Sequence, residues 1–436
     1  MVGAGPAGYV AATRAAQLGM SVAVVEKEAA LGGTCLRVGC IPSKALLESS
    51  ERYERAVHEL ASHGVKVGGV ELDLEAMMHR KEAIVAGLAR AVGSLVRQAG
   101  TTRFRGRARI VGKGVVRVEE EGIELEGRHV LLAPGSKPAP LEGVELDLDR
   151  VGTSTEALAW SEVPEHLVVI GAGFIGLELG SVWRRLGSRV TVFDVLDRIL
   201  PGMDGEVAEA AREAFAAQGL AFRLATRIVS ARAQGRRCLV VLEDGEGVDC
   251  DRVHLAAGRV ADTGDLGLER VGILSDRRGR IRVDDAFRTT AERFLAAGDA
   301  VRGPMLAHKA SAEAVACVES IAGPRRRVNY EATPAVVYTD PEIAGVGRIE
   351  DDLEPGTYRK GISSFRANGR ARCLGEEEGF VKVLADDRTD RVLGVHVLGP
   401  RAGDLIAEAA AAIEFAATAE DLALVWDTLG AGCRRS

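Results

Sequence analysis

Two patterns of hydrophobic positions alternate along the chain. Short apolar runs typical of buried strands, such as residues 166–170 and 189–193, are separated by stretches with the 3.6-residue period of helices. The same succession opens the chain, with a helical pattern over residues 9–18 and a strand pattern over residues 21–25. Strands that alternate with helices predict βαβ units and a parallel sheet. We therefore predict an α/β fold.

The remaining patterns predict a third, α+β domain after the two βαβ regions. Strand patterns lie near residues 335–338, 379–384 and 392–398, and a helical pattern covers residues 404–417. An apolar stripe on this helix indicates either core packing or a dimer interface; it consists of Leu405, Ala409, Ile413 and Ala417. Earlier in the chain a helix is expected over residues 74–99, with short strands in 102–118 and 129–132.

Composition narrows the class of protein. A chain of 436 residues with 47% hydrophobic content is long enough for two to four domains of a soluble globular protein. Apolar runs stay shorter than the ~18 residues of a membrane helix, and the net charge of −7 argues against nucleic-acid binding. The seven cysteines are few and scattered, and no signal-peptide pattern precedes the first motif. These features favour a cytoplasmic protein without membrane, nucleic-acid or metal sites.

Two glycine-rich fingerprints follow strand patterns and open helices. In each copy an acidic residue, Glu26 or Asp194, falls 23 positions after the first glycine. The glycines let the backbone approach a pyrophosphate, the helix N-terminus stabilises its charge, and the acid takes a ribose hydroxyl. Two dinucleotides are therefore predicted, one on Gly3-Ala4-Gly5-Pro6-Ala7-Gly8 and the other on Gly171-Ala172-Gly173-Phe174-Ile175-Gly176.

The strands that precede the two fingerprints differ in length. An apolar strand pattern of five residues stands before the second fingerprint, whereas only Met1 and Val2 stand before the first. The first strand of such a fold is central and buried on both faces. We therefore expect the start of the chain to be short by several residues.

Cys35 and Cys40 lie between the glycine pair Gly32-Gly33 and a Pro-Ser-Lys helix start. Positions i and i+5 of a regular helix are about 8–9 Å apart at Cα, beyond the ~7 Å that a disulfide can bridge. A bond between these cysteines therefore predicts a looped segment that bends at Gly39. Pro42 fits the first turn of the following helix, whose amides would favour a thiolate at Cys40. A redox pair is favoured over two buried thiols or a structural disulfide.

Together, these motifs resemble the flavin-dependent pyridine nucleotide-disulfide oxidoreductases, the family of dihydrolipoamide dehydrogenase, glutathione reductase and mercuric reductase. The resemblance covers nearly the whole chain, with the motifs in the same order as in the family. Residues 152–158, 174–183 and 196–201 look most like dihydrolipoamide dehydrogenase. The resemblance implies an FAD-binding domain over residues 1–145 and 258–327, an NAD-binding domain over 146–257 and a dimerisation domain over 328–436.

The resemblance also implies the cofactor sites. FAD would contact the first fingerprint and the segments that meet it, at Gly3, Gly5, Pro6, Ala7, Gly8, Glu26, Lys27, Gly33, Thr34, Lys44, Gly135, Ser136, Gly298, Asp299, Met305, Leu306, Ala307 and His308. The alternative role for Asp299 is a helix N-cap. NAD would contact Gly171, Gly173, Phe174, Ile175, Gly176, Glu178, Asp194 and Gly258. The carboxylate of Asp194 would repel the 2′-phosphate of NADP, so NAD is preferred.

In the activity that the resemblance implies, Cys40 faces the flavin and Cys35 exchanges with the substrate. Lys44 would pair with Glu178 beside the flavin and the nicotinamide; the alternative is an ordinary ion pair. The implied reaction is dithiol/disulfide exchange coupled to FAD and NAD(H) by a homodimer. Its substrate would be a small dithiol or disulfide, such as lipoyl groups of a multienzyme complex.

The chain departs from the family pattern near its C-terminus. Relatives place a His-Glu acid/base pair after a His-Pro step, but no histidine follows His396 here. Either the tail is truncated or frameshifted, or the chain acts on another substrate. Mercuric reductase uses paired C-terminal cysteines, and only Cys433 is present. Pro134 stands where relatives usually carry threonine. The alternatives are therefore a metal-ion or other disulfide reductase, or a catalytically impaired remnant.

Overall fold

The computed structural model describes residues 1–323 and 326–425. The α-helices of these residues are, in chain order, α1 (Pro6–Gln17), α2 (Gly33–Val38), α3 (Cys40–His58), α4 (Leu74–Gln98), α5 (Ser154–Ala157), α6 (Phe174–Arg185), α7 (Gly205–Ala217), α8 (Ala307–Ala322), α9 (Gly369–Leu374), α10 (Ala402–Glu414) and α11 (Ala419–Leu424).

The strands of the same residues belong to parallel and antiparallel sheets. They are, in chain order, β1 (Ala23–Glu26), β2 (Thr102–Arg105), β3 (Ala108–Gly112), β4 (Val115–Val118), β5 (Ile123–Glu126), β6 (Val130–Leu132), β7 (Ser136–Pro138), β8 (Val151–Gly152), β9 (His166–Ile170), β10 (Arg189–Phe193), β11 (Leu220–Arg223), β12 (Ile228–Gln234), β13 (Arg237–Leu242), β14 (Gly247–Cys250), β15 (Arg252–Leu255), β16 (Arg259–Ala261), β17 (Phe294–Ala296), β18 (Ala335–Val337), β19 (Glu342–Gly347), β20 (Tyr358–Ser364), β21 (Phe380–Asp386) and β22 (Val392–Gly399).

The first of two compact units is built on a parallel sheet. It comprises Met1–Ala45, Glu75–Ala139 and Gly258–Tyr330. Strands β2 and β1 pair in parallel, as do β6 and β17. Val2 joins the two pairs because it bridges to both Val25 and Leu132. The start of the chain thus occupies the central position of this sheet, and the expectation that it is short stays a prediction.

Helices α1 and α8 pack in the core of the first unit. Their contact faces consist of small residues, which allow two helix backbones to approach closely: Ala11 and Ala15 belong to the same buried cluster as Ala310 and Ala314. The close approach brings the N-terminal ends of both helices into one region of the unit. The N-terminus of α1 belongs to the first fingerprint.

The second unit contains the other parallel sheet. It comprises Leu46–Leu74 and Pro140–Ala257, together with the described part of Glu331–Ser436. Its five parallel strands follow the order β11-β10-β9-β15-β8, and every residue of the central strand β9 is buried. A strand buried on both faces requires the continuous apolar run that the sequence shows.

Two antiparallel sheets complete the second unit. Strands β12, β13 and β14 form a meander, and the last sheet has the order β18-β19-β22-β21-β20. Helix α10 covers this last sheet, where Ala409 and Ile413 join the buried cluster that contains Val346 and Val395. The core-packing interpretation of the apolar stripe is therefore confirmed for Ala409 and Ile413.

The predicted α/β class is confirmed by the two parallel sheets and the helices between their strands. The division into three domains stays a prediction. Across residues 1–323 and 326–425, the helices all lack either the length or the apolar character that spanning a bilayer demands.

Candidate active site

The first fingerprint is a turn that tolerates only glycine at two positions. A Cβ atom on Gly3 would lie 2.3 Å from the carbonyl oxygen of Ala133, and a Cβ on Gly8 would lie 1.9 Å from that of Gly3. Gly3 also has a φ of +90°, which side chains rarely adopt. The described residues provide no side-chain cap at Gly5, so the first amides of α1 remain available to an anion.

The dithiol segment begins in backbone contact with this fingerprint. Gly33 has a φ of +62°, and a Cβ on it would lie 2.5 Å from the Cα of Gly5. The amide of Gly32 donates a 2.9 Å hydrogen bond to the carbonyl of Ala4. Side chains at these positions would push the two segments apart, so the glycines set the distance between the cysteines and the fingerprint.

Glu26, at the end of β1, is bound to the same turn. Its Oε2 accepts a 2.7 Å hydrogen bond from the amide of Ala4, and its Oε1 accepts one of 3.0 Å from the amide of Glu28. The carboxylate is buried, and each oxygen keeps a lone pair for a further donor. This geometry suits a carboxylate that accepts from ribose hydroxyls.

Cys35 and Cys40 lie on two helices that meet at Gly39. Cys35 is in α2 and Cys40 is the first residue of α3. Gly39 breaks the helical path with φ −144° and ψ −113°, and this break brings the reduced sulfurs near disulfide distance. The expectation of a looped segment was wrong, since residues 33–38 are helical; the bend at Gly39 is confirmed. Pro42 lies in the first turn of α3, as predicted.

The Cys35 thiol is hydrogen-bonded to Cys40. A hydrogen bond to Cys40, together with burial, raises the pKa of the Cys35 thiol, and the nearby charge of Lys44 opposes this shift. Cys40 is the first residue of a 19-residue helix, where the helix amides stabilise a thiolate. Burial raises the pKa of Tyr9 in α1, and an ionised Cys35 would raise it further, so Cys35 lies near α1.

Asp299 takes part in a polar chain at the end of β17. Its Oδ2 accepts a 2.6 Å hydrogen bond from the hydroxyl of Ser136. Arg259 donates to the Oγ of Ser136 at 2.8 Å and to its carbonyl at 2.6 Å. Burial lowers the pKa of Arg259, whereas Asp299 and Cys40 raise it, so the guanidinium is near both charges. The alternative role of Asp299 as a helix cap is wrong, because Leu306 caps α8.

A buried ion pair holds the backbone next to Asp299. Lys309 Nζ lies 3.1 Å from a carboxylate oxygen of Glu313, and both side chains are fully buried. Lys309 donates to the carbonyl of Gly298 at 3.0 Å, and Glu313 accepts from the Gly298 amide at 2.8 Å. The hydroxyl of Tyr330 donates to the other Glu313 oxygen at 2.8 Å. The backbone carbonyl and amide of Gly298 are therefore both held by the Lys309–Glu313 ion pair.

Sequence reasoning missed Arg259, Lys309 and Glu313 as candidate site residues. Lys309 and Glu313 carry a signal, because an oppositely charged pair at i and i+4 inside an otherwise apolar helix indicates a buried ion pair. Arg259 shows no such signal, since its hydrogen-bond partner Ser136 lies 123 positions away in the sequence.

The other residues expected at FAD occupy the same unit. Leu306 is the N-cap of α8, where the described chain places no side-chain cap, and Ala307 and His308 form its first turn. Lys27 is exposed and lies 3.5 Å from Asp262. The remaining expected residues lie in the turns and first helical residues around the site; they are Pro6, Ala7, Thr34, Gly135 and Met305.

The second fingerprint repeats the geometry of the first within the other unit. A Cβ on Gly171 would lie 2.4 Å from the carbonyl oxygen of Ala256, and one on Gly176 would lie 2.0 Å from that of Gly171. A Cβ on Gly173 would meet open space among the described residues, with no atom within 4 Å. Gly173 is the N-cap of α6, so space beside the first amides of this helix is available to a pyrophosphate.

Asp194 reproduces the hydrogen bonds of Glu26. Its Oδ2 accepts from the amide of Ala172 at 2.7 Å, and its Oδ1 accepts from the amide of Leu196 at 2.8 Å. Phe174 and Ile175 are the first residues of α6. Glu178, one turn further, is buried and accepts a 3.1 Å hydrogen bond from the amide of Tyr338.

The cofactor contacts expected of these residues stay predictions, and three further points also receive no test from the geometry. The pairing of Lys44 with Glu178 stays a prediction. Gly258 has a φ of +110° and belongs to the first unit, so its contact with NAD also stays a prediction. Cys433, and with it the question of a second cysteine site, lies outside the described residues.

The first unit carries the donor groups of a dinucleotide site. A cavity of about 430 Å³ opens beside Glu26 and is lined also by Gly3, Lys27, Pro134 and Asp262. Gly3 connects this cavity to the fingerprint turn. This donor set, a carboxylate for hydroxyls and amides for phosphates, suits the ribose and the pyrophosphate of a dinucleotide.

Comparison with protein families gives two matches. The model of pyridine nucleotide-disulphide oxidoreductases matches residues 1–314, and the model of the dimerisation domain of these enzymes matches residues 333–428. The first match covers more than half of the chain.

Known proteins with similar sequences agree with this family. The chain is 45% identical over 435 residues to the mitochondrial dihydrolipoyl dehydrogenase of Pisum sativum. This match covers 98% of this chain and 87% of the pea protein. It is 49% identical to dihydrolipoyl dehydrogenase 3 of Pseudomonas aeruginosa, over 97% of this chain and 93% of that protein. It is also 43% identical to leghemoglobin reductase of Glycine max, over 98% and 83% of the two chains.

Solved structures show the same fold. The crystal structure of LpdA from Mycobacterium tuberculosis superposes with a TM-score of 0.91 at 29% identity, and the match covers 99% of this chain and 97% of that one. The flavoprotein disulfide reductase RclA from Escherichia coli, at 23% identity and a TM-score of 0.87 over 98% and 95% of the chains, supports the fold alone. On these grounds, the chain belongs to the pyridine nucleotide-disulphide oxidoreductase family.

Proposed function

We propose that the protein is a dihydrolipoyl dehydrogenase that uses FAD and NAD(H), with Cys35 and Cys40 as its redox pair. The observation that carries this proposal is the contact between Gly33 and Gly5, which holds a reduced dithiol against a dinucleotide fingerprint. The identity of 45% to 49% with dihydrolipoyl dehydrogenases over nearly the whole chain supports it.

The two cysteines have different tasks in thiol exchange. A substrate thiolate attacks the sulfur of Cys35 in the oxidised pair, the disulfide breaks, and Cys40 leaves as a thiolate. The second thiolate of the substrate then attacks the substrate sulfur that is bonded to Cys35. This releases the substrate as a disulfide and Cys35 as a thiolate. The helix N-terminus at Cys40 stabilises the leaving thiolate, and Cys35 takes up the proton that the pair then shares.

The first unit would hold FAD. The Gly3–Gly8 turn and the start of α1 would bind the pyrophosphate, Glu26 the adenosine ribose, and Asp299 the ribityl hydroxyls. When bound, FAD supplies the two-electron chemistry that links the dithiol to the nicotinamide. Lys44 and Glu178 would act as an ion pair beside the reacting groups, and Arg259 would add positive charge near Cys40.

NAD would bind in the second unit, on the fingerprint that begins at Gly171. Asp194 directly follows β10 and has two amide hydrogen bonds already made, and its charge would repel the 2′-phosphate of NADP. The proposal therefore specifies NAD over NADP.

The active protein would be a homodimer that accepts lipoyl groups. The match to the dimerisation domain over residues 333–428 supports a second copy. So does Phe415, at the end of α10, which is 83% exposed in the single chain. Free lipoamide is the small substrate, and the lipoyl groups of a multienzyme complex are the larger partner.

We place the protein in the cytoplasm, because its few and scattered cysteines fit a reducing compartment. The name of the pea relative places that protein in mitochondria, so fractionation of the source cells is the relevant measurement.

The test is an assay of the purified chain. The protein should be yellow, and it should oxidise NADH in the presence of lipoamide and reduce NAD in the presence of dihydrolipoamide. The Cys35→Ser variant should keep its flavin absorbance and lose turnover, because it removes only the exchanging thiol. A colourless wild-type protein that stays inactive after FAD is added would contradict the proposal.

A further inference from the structure

A second pair of thiols lies in the meander of the second unit. Cys238 in β13 and Cys250 in β14 are 12 positions apart in the sequence and directly opposite each other in the antiparallel register. Opposed residues of such a pair have Cα atoms about 4.5–5.5 Å apart, which falls within the ~4.4–6.8 Å that disulfides require. The sequence showed only one close cysteine pair, and the fold creates another.

The two side chains point to the same, apolar side of the meander. Both residues belong to the buried cluster that contains Val240, Val253 and Phe193. Their exposed fractions are 1% for Cys238 and 0% for Cys250. The sulfur of Cys250 lies 3.9 Å from the carbonyl oxygen of Cys238, and that of Cys238 lies 3.6 Å from the carbonyl oxygen of Asp251. Each thiol therefore lies against a backbone carbonyl and apolar groups, and the charges of Asp147, Arg150 and Arg252 lie near enough to act on Cys238.

Electrostatics differentiate the two sulfurs. A hydrogen bond between them lowers the pKa of Cys238. The same hydrogen bond raises the pKa of Cys250, and burial is the second cause of that rise. Cys238 is thus the more acidic of the two thiols, and it is the one that deprotonates first. A thiolate next to a protonated thiol is the arrangement in which one sulfur is oxidised and the other resolves it.

The strands are held together at this point by charged side chains on the other face. Arg237, next to Cys238, lies 2.9 Å from Asp251 and 3.2 Å from Asp249, the two neighbours of Cys250. The sulfurs therefore stay opposed without any rearrangement of the strands. Strand β14 is at the edge of the meander, and oxidation of the buried thiols requires a brief local opening of this strand to admit a molecule as small as hydrogen peroxide.

We propose that Cys238 and Cys250 form a second oxidation site, at which a peroxide closes a cross-strand disulfide between β13 and β14. The Cys238 thiolate attacks a peroxide oxygen, the O–O bond breaks, and a sulfenic acid forms while the leaving hydroxide takes up a proton. The Cys250 thiol then attacks the sulfenic sulfur, the S–S bond forms, and water leaves. Two thiols are oxidised by two electrons and one peroxide is reduced to two waters. A dithiol reductant reverses the reaction.

The experiment uses the intact protein. The flavoprotein is treated with hydrogen peroxide, the peroxide is removed, and the protein is denatured, alkylated and digested with trypsin. Cleavage after Arg237 and Arg252 releases residues 238–252 with both cysteines in one peptide. The expected product is lighter by two hydrogen atoms, resists alkylation, and becomes doubly alkylated after reduction.

Two comparisons separate this site from general oxidation. Cys317 in α8 is a fully buried thiol and should remain open to alkylation after the same treatment. The Cys238→Ser variant keeps Cys35 and Cys40, so peroxide should raise the melting temperature of the wild type more than that of the variant. The proposal is overturned if the peptide 238–252 stays doubly alkylated or ends as sulfinic acid while the Cys35–Cys40 pair is fully oxidised. Because the readout is a peptide mass, it is independent of turnover and of the proposed function.

Discussion

The amide of Ala4 donates a 2.7 Å hydrogen bond to Oε2 of Glu26, and the amide of Ala172 donates one of the same length to Oδ2 of Asp194. In each unit an acidic residue is thereby bonded to the middle of the glycine turn: Glu26 at the end of β1 and Asp194 directly after β10. The carboxylate orders the turn before any nucleotide arrives, which reduces the entropy lost on binding.

We expect Glu26→Gln to weaken FAD binding by about 10-fold or more. A glutamine has one acceptor oxygen, so the amide of Ala4 or of Glu28 would lose its partner. An unsatisfied buried donor costs about 1–3 kcal/mol. Titration of the apoprotein with FAD, followed by flavin fluorescence, measures the change.

Asp194→Asn is the matched control, because the same two hydrogen bonds exist in the second unit. It should raise the KM for NADH and leave flavin content unchanged. Equal flavin binding by Glu26→Gln and the wild type would show that the carboxylate is not needed there.

Gly33→Ala should abolish flavin retention and misplace the dithiol. The new Cβ would lie 2.5 Å from the Cα of Gly5, so one of the two segments has to move. The flavin absorbance of the purified variant and its lipoamide activity check this expectation.

Gly100→Ala separates the steric clash from backbone strain. Gly100 has a φ of +77°, yet an added Cβ would find no neighbour within 4 Å in the described chain. This variant should lose about 1–2 kcal/mol of stability and retain its flavin. If Gly33→Ala and Gly100→Ala retain the same amount of flavin, the contact between Gly5 and Gly33 is not required for flavin binding.

Cys40→Ala should make Cys35 ionise at lower pH. The largest cause of the raised pKa of Cys35 is its hydrogen bond to Cys40, and the substitution removes that acceptor. Alkylation of Cys35 in the reduced protein, measured against pH under anaerobic conditions, should therefore shift its midpoint downward. The exposed Cys373 serves as an internal reference for reagent reactivity. An unchanged midpoint would mean that burial alone sets the pKa.

Lys309→Met should destabilise the first unit by about 3–5 kcal/mol, the usual cost when one partner of a buried ion pair is removed. The carboxylate of Glu313 would be left buried without its cation, and the carbonyl of Gly298 would lose a donor. Urea unfolding measures the loss. Tyr330→Phe removes a single hydrogen bond to Glu313 and should cost only about 1 kcal/mol. Similar losses in both variants would contradict a central role for the pair.

The second unit should lose stability in acid because of Glu350. Burial raises the pKa of this carboxyl, but hydrogen bonds from Lys382, Tyr358 and Lys360 outweigh burial and lower it to about 2. Lys382 also lies 2.9 Å from both Asp204 and Glu206. A carboxyl with a lowered folded pKa contributes stability above its ordinary value of 4.5, and this contribution is lost as pH falls toward about 2.

Urea unfolding of the wild type and of Glu350→Gln at several pH values tests this. The glutamine variant should be less stable at pH 7 and should lose less stability between pH about 4.5 and 2, since the titrating group is gone. Parallel curves for the two proteins would exclude Glu350 as the source.

The features that depend on residues close together in the sequence could be predicted from it. The glycines at 3, 8, 171 and 176 and the acids Glu26 and Asp194 were predicted from spacing, because a tight turn before a helix imposes steric limits within a few residues. The dithiol segment and its bend at Gly39 were readable for the same reason. The helical path of residues 33–38 was not, since a break in backbone direction at a single residue shortens the distance without a loop.

The sequence by itself therefore determined the fold class, the two fingerprints and the first redox pair, all of which depend on residues close along the chain. Only the tertiary structure decided that Lys309 and Glu313 fix Gly298, that Arg259 meets Ser136, and that Cys238 opposes Cys250. These contacts depend on strand register and on helix packing. Both are set by the burial of many apolar side chains at once, and no short stretch of sequence encodes them.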